Sequence, residues 1–273
     1  MATRRKYGVF GGGNMGEALV KGLLSSGRAA SEDVAVSEPL DERRSYLEET
    51  YKVKVLKENT ALAPGAAVLI LAVKPQVVVH VLEEIRTLVE PEQLVVSIAA
   101  GVTTGAIEST LRAGVPVVRA MPNTPALVLA GATAVAGGRH ASAAHLEAAR
   151  ALFESVGRVV EVEEKDMDAV TGLSGSGPAY FFVMLEALAD AGVLLGLPRD
   201  KALMLASQTA LGAARLVLES GLHPGRLKDM VTSPGGTTIA GLKVLEQGGI
   251  RGLLMAAVEA ATQRSLELGR KSG

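Results

Sequence analysis

Cysteine and tryptophan are absent from this chain of 273 residues, and aromatic residues make up only 3% of it. The absence of cysteine excludes a disulfide framework, a thiolate nucleophile and cysteine-ligated metal centres. The four histidines include no pair with the spacing of zinc ligands on a helix. We therefore expect no metal site and no Ser-His-Asp triad.

An excess of charge of one sign is also missing, since 28 Lys and Arg residues balance 29 Asp and Glu residues. This balance argues against a nucleic acid or an acidic membrane as a partner. The longest apolar stretch, residues 66–82, is interrupted by Lys74 and Pro75 and is shorter than the roughly 20 residues of a membrane-spanning helix. The basic N-terminus leads into a short strand and a glycine turn, unlike a signal peptide. We expect a soluble, cytoplasmic protein.

Short β-branched runs alternate with helical segments up to about Glu161, which is typical of a mostly parallel sheet covered on both faces. Runs such as Val68–Ala72 lack polar alternation, as expected for strands buried on both sides. The pattern predicts a Rossmann-like, doubly wound α/β domain over residues 1–163. The predicted strands are Tyr7–Phe10, Val34–Ser37, Val53–Val55, Ala67–Ala72, Leu94–Ile98, Val115–Arg119 and Ala132–Ala136.

Residues 164–273 lack the β pattern and predict an all-helical second domain. Two of its helices, Pro178–Gly196 and Arg199–Ser220, are unusually apolar: the first carries only the charges Glu186 and Asp190, and residues 202–214 carry none. A helix that is apolar nearly all round must be buried nearly all round, and this domain has too little interior for both. We infer an obligate oligomer with these helices between subunits. A membrane-embedded hairpin is less favoured, because neither run is long enough without a charge.

The first predicted strand leads into Gly11-Gly12-Gly13-Asn14-Met15-Gly16, which matches the Gly-x-Gly-x-x-Gly fingerprint of dinucleotide-binding folds. The first glycine permits the tight turn, the second lets the backbone approach a pyrophosphate, and the third lets the helix pack on the strand. Free N–H groups at the start of the helix then favour the phosphate charge. This segment therefore predicts an NAD(P)-binding site.

The end of the second predicted strand carries mixed signals about the cofactor. Glu38 lies about 20 residues after the fingerprint, where a carboxylate normally accepts hydrogen bonds from the ribose hydroxyls of NAD. Ser37, Arg43 and Arg44 are instead the residue types that accommodate the additional phosphate of NADP. These residues leave the choice between NADH and NADPH open.

Two further strand ends and one loop are predicted to lie against the cofactor. Ala72–Pro75 follows the fourth strand and Ala99–Gly101 follows the fifth, at the carboxyl ends where α/β folds bind their ligands. The small side chains of the second segment let a dinucleotide lie against the backbone. The loop Met121–Pro125 is rigid, because prolines flank Asn123 and Thr124, and we expect it beside the nicotinamide ring.

In the helical region, Ser233–Thr238 places three hydroxyls and two glycines in a turn that opens a helix. Such a turn presents a fan of N–H groups that binds a carboxylate well. The alternative is an ordinary helix start capped by Ser233 or Thr237, which accounts for only one hydroxyl. A ketone substrate would need a positioned acid, whereas an iminium substrate already carries its proton, so hydroxyls and amides suffice for it.

Together these motifs resemble the pyrroline-5-carboxylate reductase family over essentially the whole chain. The most specific of them are Leu173–Tyr180 and Asp229–Thr238, whereas many dehydrogenases share the glycine fingerprint. The resemblance implies hydride transfer from NADPH or NADH to C5 of 1-pyrroline-5-carboxylate. The product would be L-proline, and the reaction would be the final step of proline biosynthesis.

The resemblance also implies roles for individual residues. Thr238 would be catalytic, with its hydroxyl on the ring nitrogen of the substrate. Ser233, Gly236, Thr237 and Thr238 would hold the substrate, with the amides of this loop on its carboxylate, and Asn59 would contact the adenosine ribose. The residues expected at the cofactor, from the motifs and the resemblance together, are Phe10, Gly11, Gly12, Gly13, Asn14, Met15, Ser37, Glu38, Asn59, Ala72, Val73, Lys74, Pro75, Ala99, Ala100, Gly101 and Asn123.

The resemblance further implies a homodimer with interleaved helical domains, assembled into a decamer. Two departures stand out: some members have serine at the position of Glu38, and some have a substrate-binding glutamate at the position of Gly221.

Two alternative functions remain. One is a reductase of another cyclic imine or of a β-hydroxy acid, the latter with a catalytic lysine from the helical domain, where the candidates are Lys201, Lys228 and Lys243. The other is a catalytically silent nucleotide-binding scaffold, against which the hydroxyls of Ser233–Thr238 argue.

Overall fold

The computed structural model describes residues 5–272, and this part of the chain forms eight strands and twelve helices. The strands are β1 (Arg5–Phe10), β2 (Val34–Ser37), β3 (Lys54–Leu56), β4 (Ala66–Leu71), β5 (Leu94–Ser97), β6 (Val117–Met121), β7 (Gly131–Gly137) and β8 (Gly157–Glu161). The helices are α1 (Asn14–Ser25), α2 (Asp41–Tyr51), α3 (Asn59–Leu62), α4 (Pro75–Ile85), α5 (Thr104–Thr110), α6 (Ala143–Phe153), α7 (Met167–Val170), α8 (Gly177–Leu194), α9 (Arg199–Ser220), α10 (Pro224–Met230), α11 (Thr237–Gln247) and α12 (Ile250–Ser272).

The strands form one sheet in the order β3-β2-β1-β4-β5-β6-β7-β8. Neighbouring strands are parallel except β6 and β7, which are antiparallel. Because β1 pairs with both β2 and β4, the strand order reverses beside β1, which is where open α/β sheets form a ligand-binding crevice. The predicted Rossmann-like fold is confirmed. The sequence prediction missed β8, an edge strand whose residues are all half-buried or exposed.

Each face of the sheet has its own hydrophobic core. Alternate residues of a strand point to opposite faces, so Val9 of β1 belongs to one core and Phe10 to the other. Helices α1, α2 and α6 cover the first face, and α3, α4 and α5 cover the second. Burial on both faces is the physical reason why the central strands are apolar throughout.

The chain divides into two compact units. Residues up to Ser176, together with those from Glu259 onward, form the first unit, and Gly177–Val258 forms the second. The last turns of α12 therefore belong to the first unit, where the Ser265 hydroxyl donates a hydrogen bond to Asp168 Oδ1 over 2.6 Å. The division between residues 163 and 164 that the sequence suggests lies within this first unit, because residues 164–176 also pack there.

The second unit buries few of its own side chains. Of the 18 residues of α8, Gly177 and Ala189 are the buried ones, whereas Phe182 is 63% exposed and Leu194 is 86% exposed. Helices α8 and α9 pack closely where a Cβ at Gly192 would lie 2.9 Å from the Cβ of Ala202. The remaining apolar surface of these helices is of the kind that marks an interaction site.

Residues 164–194 are long and apolar enough, by length and composition alone, to cross a membrane. The stretch is helical, contains a π-helical turn at Thr171–Gly175, and has only 11% of its most apolar window buried. An apolar helix can be covered either by lipid or by protein. Glu186 and Asp190, in the last third of this stretch, favour protein, because carboxylates are costly in a bilayer.

Candidate active site

The glycine-rich loop connects β1 to α1 at the carboxyl edge of the sheet. Gly11 has a φ of +96°, a conformation that favours glycine, and a Cβ there would lie 2.8 Å from the carbonyl oxygen of Ala72. A Cβ at Gly16 would lie 2.1 Å from the carbonyl oxygen of Gly11, so only glycine lets α1 pack this closely. At Gly13, by contrast, an added Cβ would have no neighbour within 4 Å. The loop is therefore tightly packed at Gly11 and Gly16, and it is open at Gly13.

Helix α1 begins at Asn14, with Gly13 as its N-cap residue and no side-chain cap. Its first N–H groups are therefore available, and the helix dipole adds partial positive charge to them. Met15, in this first turn, is half-buried, whereas Asn14 is exposed. Open space beside uncapped N–H groups fits the pyrophosphate of a dinucleotide.

The segment Ala72–Pro75 lies directly against the glycine loop. The N–H of Ala72 donates a hydrogen bond to the carbonyl of Phe10 over 2.9 Å. Lys74 is exposed and is the N-cap residue of α4, which begins with Pro75. Hence the structure brings Phe10, the glycine loop and Ala72–Pro75 together beside β1, where the strand order reverses.

A cavity of about 280 Å³ lies beside the third predicted segment, Ala99–Gly101. Gly101 has a φ of +76° and forms part of the wall, and the last turns of α12 form another part. The wall residues of α12 were missed by the sequence reasoning, although their spacing of three and four residues places them on one helix face. The lining residues are Pro75, Gln76, Ala100, Gly101, Thr171, Ser176, Ala261, Arg264, Ser265 and Leu268.

A second cavity, of about 310 Å³, is bordered by Gly11 of the glycine loop, and we call it the Asn59 groove. Within it the Ser37 hydroxyl donates a hydrogen bond to Asn59 Oδ1 over 2.7 Å. The Asn59 amide nitrogen donates to Glu84 Oε2 over 2.7 Å. The groove is lined by Gly11, Ser37, Pro39, Lys57, Glu58, Asn59, Val73, Val77, His80, Val81 and Glu84. It thus brings together the predicted cofactor residues Gly11, Ser37, Asn59 and Val73, and it adds residues of α4 beyond Pro75, which the sequence reasoning did not include.

Glu38 lies beneath the glycine loop and is only 7% exposed. One carboxylate oxygen accepts a hydrogen bond from the N–H of Gly12 over 2.9 Å, and the other accepts from the N–H of Leu40 over 3.0 Å. These charge-assisted bonds fix the loop to the end of β2. The expected contact of Glu38 with a ribose hydroxyl stays a prediction.

Arg43 and Arg44 are engaged within the protein. Arg43 donates to the carbonyl of Gly12 over 2.6 Å and forms an ion pair with Glu17. Arg44 donates to the carbonyls of Glu38 and Pro39, over 3.0 and 2.7 Å. Both guanidinium groups therefore stabilise the loop and the end of β2, a role that the sequence did not reveal.

Glu17 of α1 is the centre of a polar cluster beside this loop. The hydroxyls of Tyr46 and Tyr51 donate to Glu17 Oε1 over 2.9 and 2.7 Å, and the Arg43 guanidinium pairs with Oε2. Burial raises the pKa of Glu17, but the hydrogen bonds from Tyr51, Arg43 and Tyr46 outweigh it, so the pKa lies below its ordinary value. Burial and the bond to Glu17 together raise the pKa of Tyr51.

Asn123 uses both ends of its amide to fix backbone. Its nitrogen donates to the carbonyl of Ser174 over 3.0 Å, and its oxygen accepts from the N–H of Ala132 over 2.8 Å. It thus ties the loop after β6 to the π-helical turn and to β7. The structure supports this positioning role, and its expected contact with the cofactor stays a prediction.

In the second unit, the turn Ser233–Thr238 opens α11. Gly236 is the N-cap residue, no side chain caps the helix, and Gly235 has a φ of +68°. Within residues 5–272 the structure gives no hydrogen bond to the hydroxyls of Ser233, Thr237 or Thr238. Thr238 is half-buried and the other two are exposed. The ordinary capped helix start is therefore not observed, and the geometry fits an anion-binding turn.

Comparison with known proteins covers nearly the whole chain. A family model described as pyrroline-5-carboxylate reductase dimerisation matches residues 164–268. A second, described as coenzyme F420-dependent NADP oxidoreductase, matches residues 6–101. A curated pyrroline-5-carboxylate reductase from Synechocystis sp. is 51% identical over 97% of this chain and 99% of that protein.

Solved structures agree with these matches. A pyrroline-5-carboxylate reductase from Coxiella burnetii is 38% identical, with a TM-score of 0.92, over 97% of this chain and 98% of that one. A pyrroline carboxylate reductase from Plasmodium falciparum, solved with NADP bound, is 32% identical, with a TM-score of 0.86, over 98% and 99% of the two chains. Since identity of this level extends over nearly the whole length, the chain belongs to the pyrroline-5-carboxylate reductase family.

Proposed function

We propose that this protein reduces 1-pyrroline-5-carboxylate to L-proline, with NADPH or NADH as the hydride donor. The observation that carries the proposal is the turn Ser233–Thr238, an uncapped helix N-terminus whose three hydroxyls have no hydrogen-bond partner in the part of the chain that the structure describes. Such a turn can bind an anionic ligand. Family membership and the open dinucleotide loop support it. As the final step of proline biosynthesis, the reaction would take place in the cytoplasm.

The residues at the carboxyl edge of the sheet fit a dinucleotide. The uncapped N-terminus of α1 would bind the pyrophosphate, and the open space at Gly13 lets it approach the backbone. The Asn59 groove would hold the adenosine half. The small residues Ala99–Gly101, beside the cavity bounded by α12, would lie against the nicotinamide half. When bound, the cofactor supplies a hydride that adds to C5 of the protonated C=N bond.

The second unit would hold the substrate. The N–H groups of the turn and the Ser233 hydroxyl would bind the carboxylate, and the half-buried Thr238 hydroxyl would accept a hydrogen bond from the ring N–H. As hydride arrives at C5, the electron pair of the C=N bond passes to nitrogen, which becomes the secondary amine of L-proline. No other proton donor is needed, because the iminium nitrogen is already protonated.

The β-hydroxy acid alternative requires a catalytic lysine, and none of the three candidates lies in this turn. Lys228, in α10, forms an ion pair with Asp229 over 2.7 Å. Reduction of an imine therefore agrees better with the groups that the second unit provides. Reductases of other cyclic imines would use the same groups, so the substrate itself must be tested.

The decisive experiment follows the absorbance of NADPH and of NADH, in separate reactions, after addition of 1-pyrroline-5-carboxylate. We expect oxidation of at least one cofactor and formation of L-proline in equal amounts. The keto acid that corresponds to a β-hydroxy acid serves as the competing substrate, because it can accept the hydride of NADPH or NADH. Turnover of that competitor alone would overturn the proposal.

Residues 164–268 match a dimerisation domain, and we propose that α8 and α9 form its apolar core in a homodimer. The exposure of Leu194 and Leu195, 86% and 85%, leaves surface that a second copy would cover. We further propose that five dimers assemble into a decamer, in keeping with the family resemblance. Native mass spectrometry and light scattering would show ten copies; monomers at micromolar concentration would contradict both proposals.

A further inference from the structure

The Asn59 groove contains a hydrogen-bonded relay whose polarity is determined by Glu84. An ionised carboxylate can only accept hydrogen bonds, so the amide nitrogen of Asn59 must face Glu84, over 2.7 Å. Asn59 Oδ1 then faces Ser37, whose hydroxyl must donate, also over 2.7 Å. His80 Nε2 lies 3.1 Å from the second oxygen of Glu84. The direction of each hydrogen bond therefore follows from the charge of one residue.

The relay presents the Ser37 hydroxyl oxygen and the Glu84 carboxylate as acceptors in the groove, beside the second amide hydrogen of Asn59 and the cation Lys57. The hydrogen of the Ser37 hydroxyl is used by Asn59, and Glu84, whose side chain is 35% exposed, presents carboxylate oxygens. A ribose 2′-hydroxyl can donate to these acceptors, whereas a 2′-phosphate is itself an acceptor and needs donors. Among the charged side chains lining the groove, Glu58 and Glu84 outnumber the cation Lys57, with His80 as the remaining titratable group.

We propose that Glu84 is a positioning residue that sets cofactor specificity, by orienting Asn59 and Ser37 so that the groove favours the 2′-hydroxyl of NADH over the 2′-phosphate of NADPH. The inference rests on the proposed function, because it assumes that the adenosine half of the cofactor occupies this groove. It adds a determinant of specificity on α4 to the one expected at Glu38, whose carboxylate oxygens also accept hydrogen bonds from the N–H groups of Gly12 and Leu40.

The test is calorimetric binding of 5′-AMP and 2′,5′-ADP, two fragments that differ only by the 2′-phosphate, to the intact protein. In the Glu84→Gln variant, glutamine can donate as well as accept, so the Asn59 amide can turn and release the Ser37 hydroxyl. We expect the affinity for 2′,5′-ADP relative to 5′-AMP to rise about tenfold. Glu84→Asp retains an acceptor and should change the ratio by about twofold or less.

Two controls separate the relay from charge alone. Glu83→Gln removes the same charge from the adjacent position of α4, and we expect it to change the ratio by about twofold or less. In an Asn59→Ala background the relay is broken, so adding Glu84→Gln should no longer raise the ratio. An equal rise for Glu83→Gln, or an undiminished rise without Asn59, would overturn the inference.

The failure of this inference differs from failure of the proposed function. If the wild-type protein binds NAD⁺ and NADP⁺ but the fragment ratio does not change in Glu84→Gln, only the relay is refuted. If the wild-type protein binds neither dinucleotide, the cofactor site is refuted and the relay with it. Circular dichroism of each variant establishes that the comparison is between folded proteins.

Discussion

Replacing Gly13 with alanine should weaken cofactor binding and leave the free energy of unfolding nearly unchanged. The φ and ψ of Gly13 are −66° and −175°, which alanine adopts without strain, and its Cβ would meet no protein atom within 4 Å. The same open space is where a pyrophosphate would approach the backbone. We therefore expect a folded Gly13→Ala variant that binds NADPH and NADH poorly.

The magnitudes follow from the local structure. At the N-cap position, alanine is less favourable than glycine by up to about 1 kcal/mol, while the lost freedom of the unfolded chain restores about 0.4–1 kcal/mol. The free energy of unfolding should therefore change by less than about 1 kcal/mol. A methyl group in the path of the pyrophosphate should weaken binding by at least about tenfold, or about 1.4 kcal/mol.

Urea denaturation and calorimetric titration with each cofactor measure the two quantities separately. Gly105→Ala is the matched control, because a Cβ at Gly105 also has no neighbour within 4 Å, and it should leave binding unchanged. Gly16→Ala should instead lower stability by about 2–4 kcal/mol, since its Cβ would lie 2.1 Å from the backbone of Gly11. Unaltered cofactor affinity in Gly13→Ala would refute the placement of the pyrophosphate.

Three further predictions follow. Thr238→Ala should lower turnover of pyrroline-5-carboxylate about tenfold or more, about 1.4 kcal/mol of barrier, in steady-state assays, with cofactor binding unchanged. Glu38→Ala leaves the buried N–H of Gly12 without its acceptor, and urea denaturation should show a free energy of unfolding lower by about 1–3 kcal/mol. The same variant should shift cofactor preference from NADH toward NADPH in steady-state assays. Since the pKa of Glu17 is lowered by folding, its ionised form stabilises the protein above the ordinary pKa of 4.5. The melting temperature of Glu17→Gln should therefore lie below that of the wild type near neutral pH, and this difference should shrink as the pH falls below 4.5.

Each of these predictions has its own control. Thr238→Ser keeps the hydroxyl and should retain most of the activity; equal loss in both variants would show that the hydroxyl is not what matters. Glu38→Gln can still accept from Gly12, so it should be more stable than Glu38→Ala, and equal stabilities would contradict the assigned bond. For Glu17, a melting difference that does not depend on pH would mean that its charge has no role.

The order and type of the elements could largely be read from the chain, because hydrophobic periodicity and turn chemistry are carried by neighbouring residues. The start of α1 and the uncapped turn before α11 lie where the glycines and hydroxyls indicated. The short edge strand β8 was missed, since an edge strand with exposed residues lacks the apolar run that marks a buried one.

Composition and local pattern by themselves thus determined the absence of thiol chemistry, the doubly wound fold, the glycine-rich loop at the start of α1, and the excess of apolar residues on α8 and α9. The tertiary structure alone decided that Glu38 and Arg43 stabilise the glycine loop, that α12 lines a cavity beside Gly101, and that Glu84 orients Asn59. These partners lie 25 or more residues apart in the chain. Which of them meet depends on how the sheet and its helices pack, and local residue patterns do not encode that.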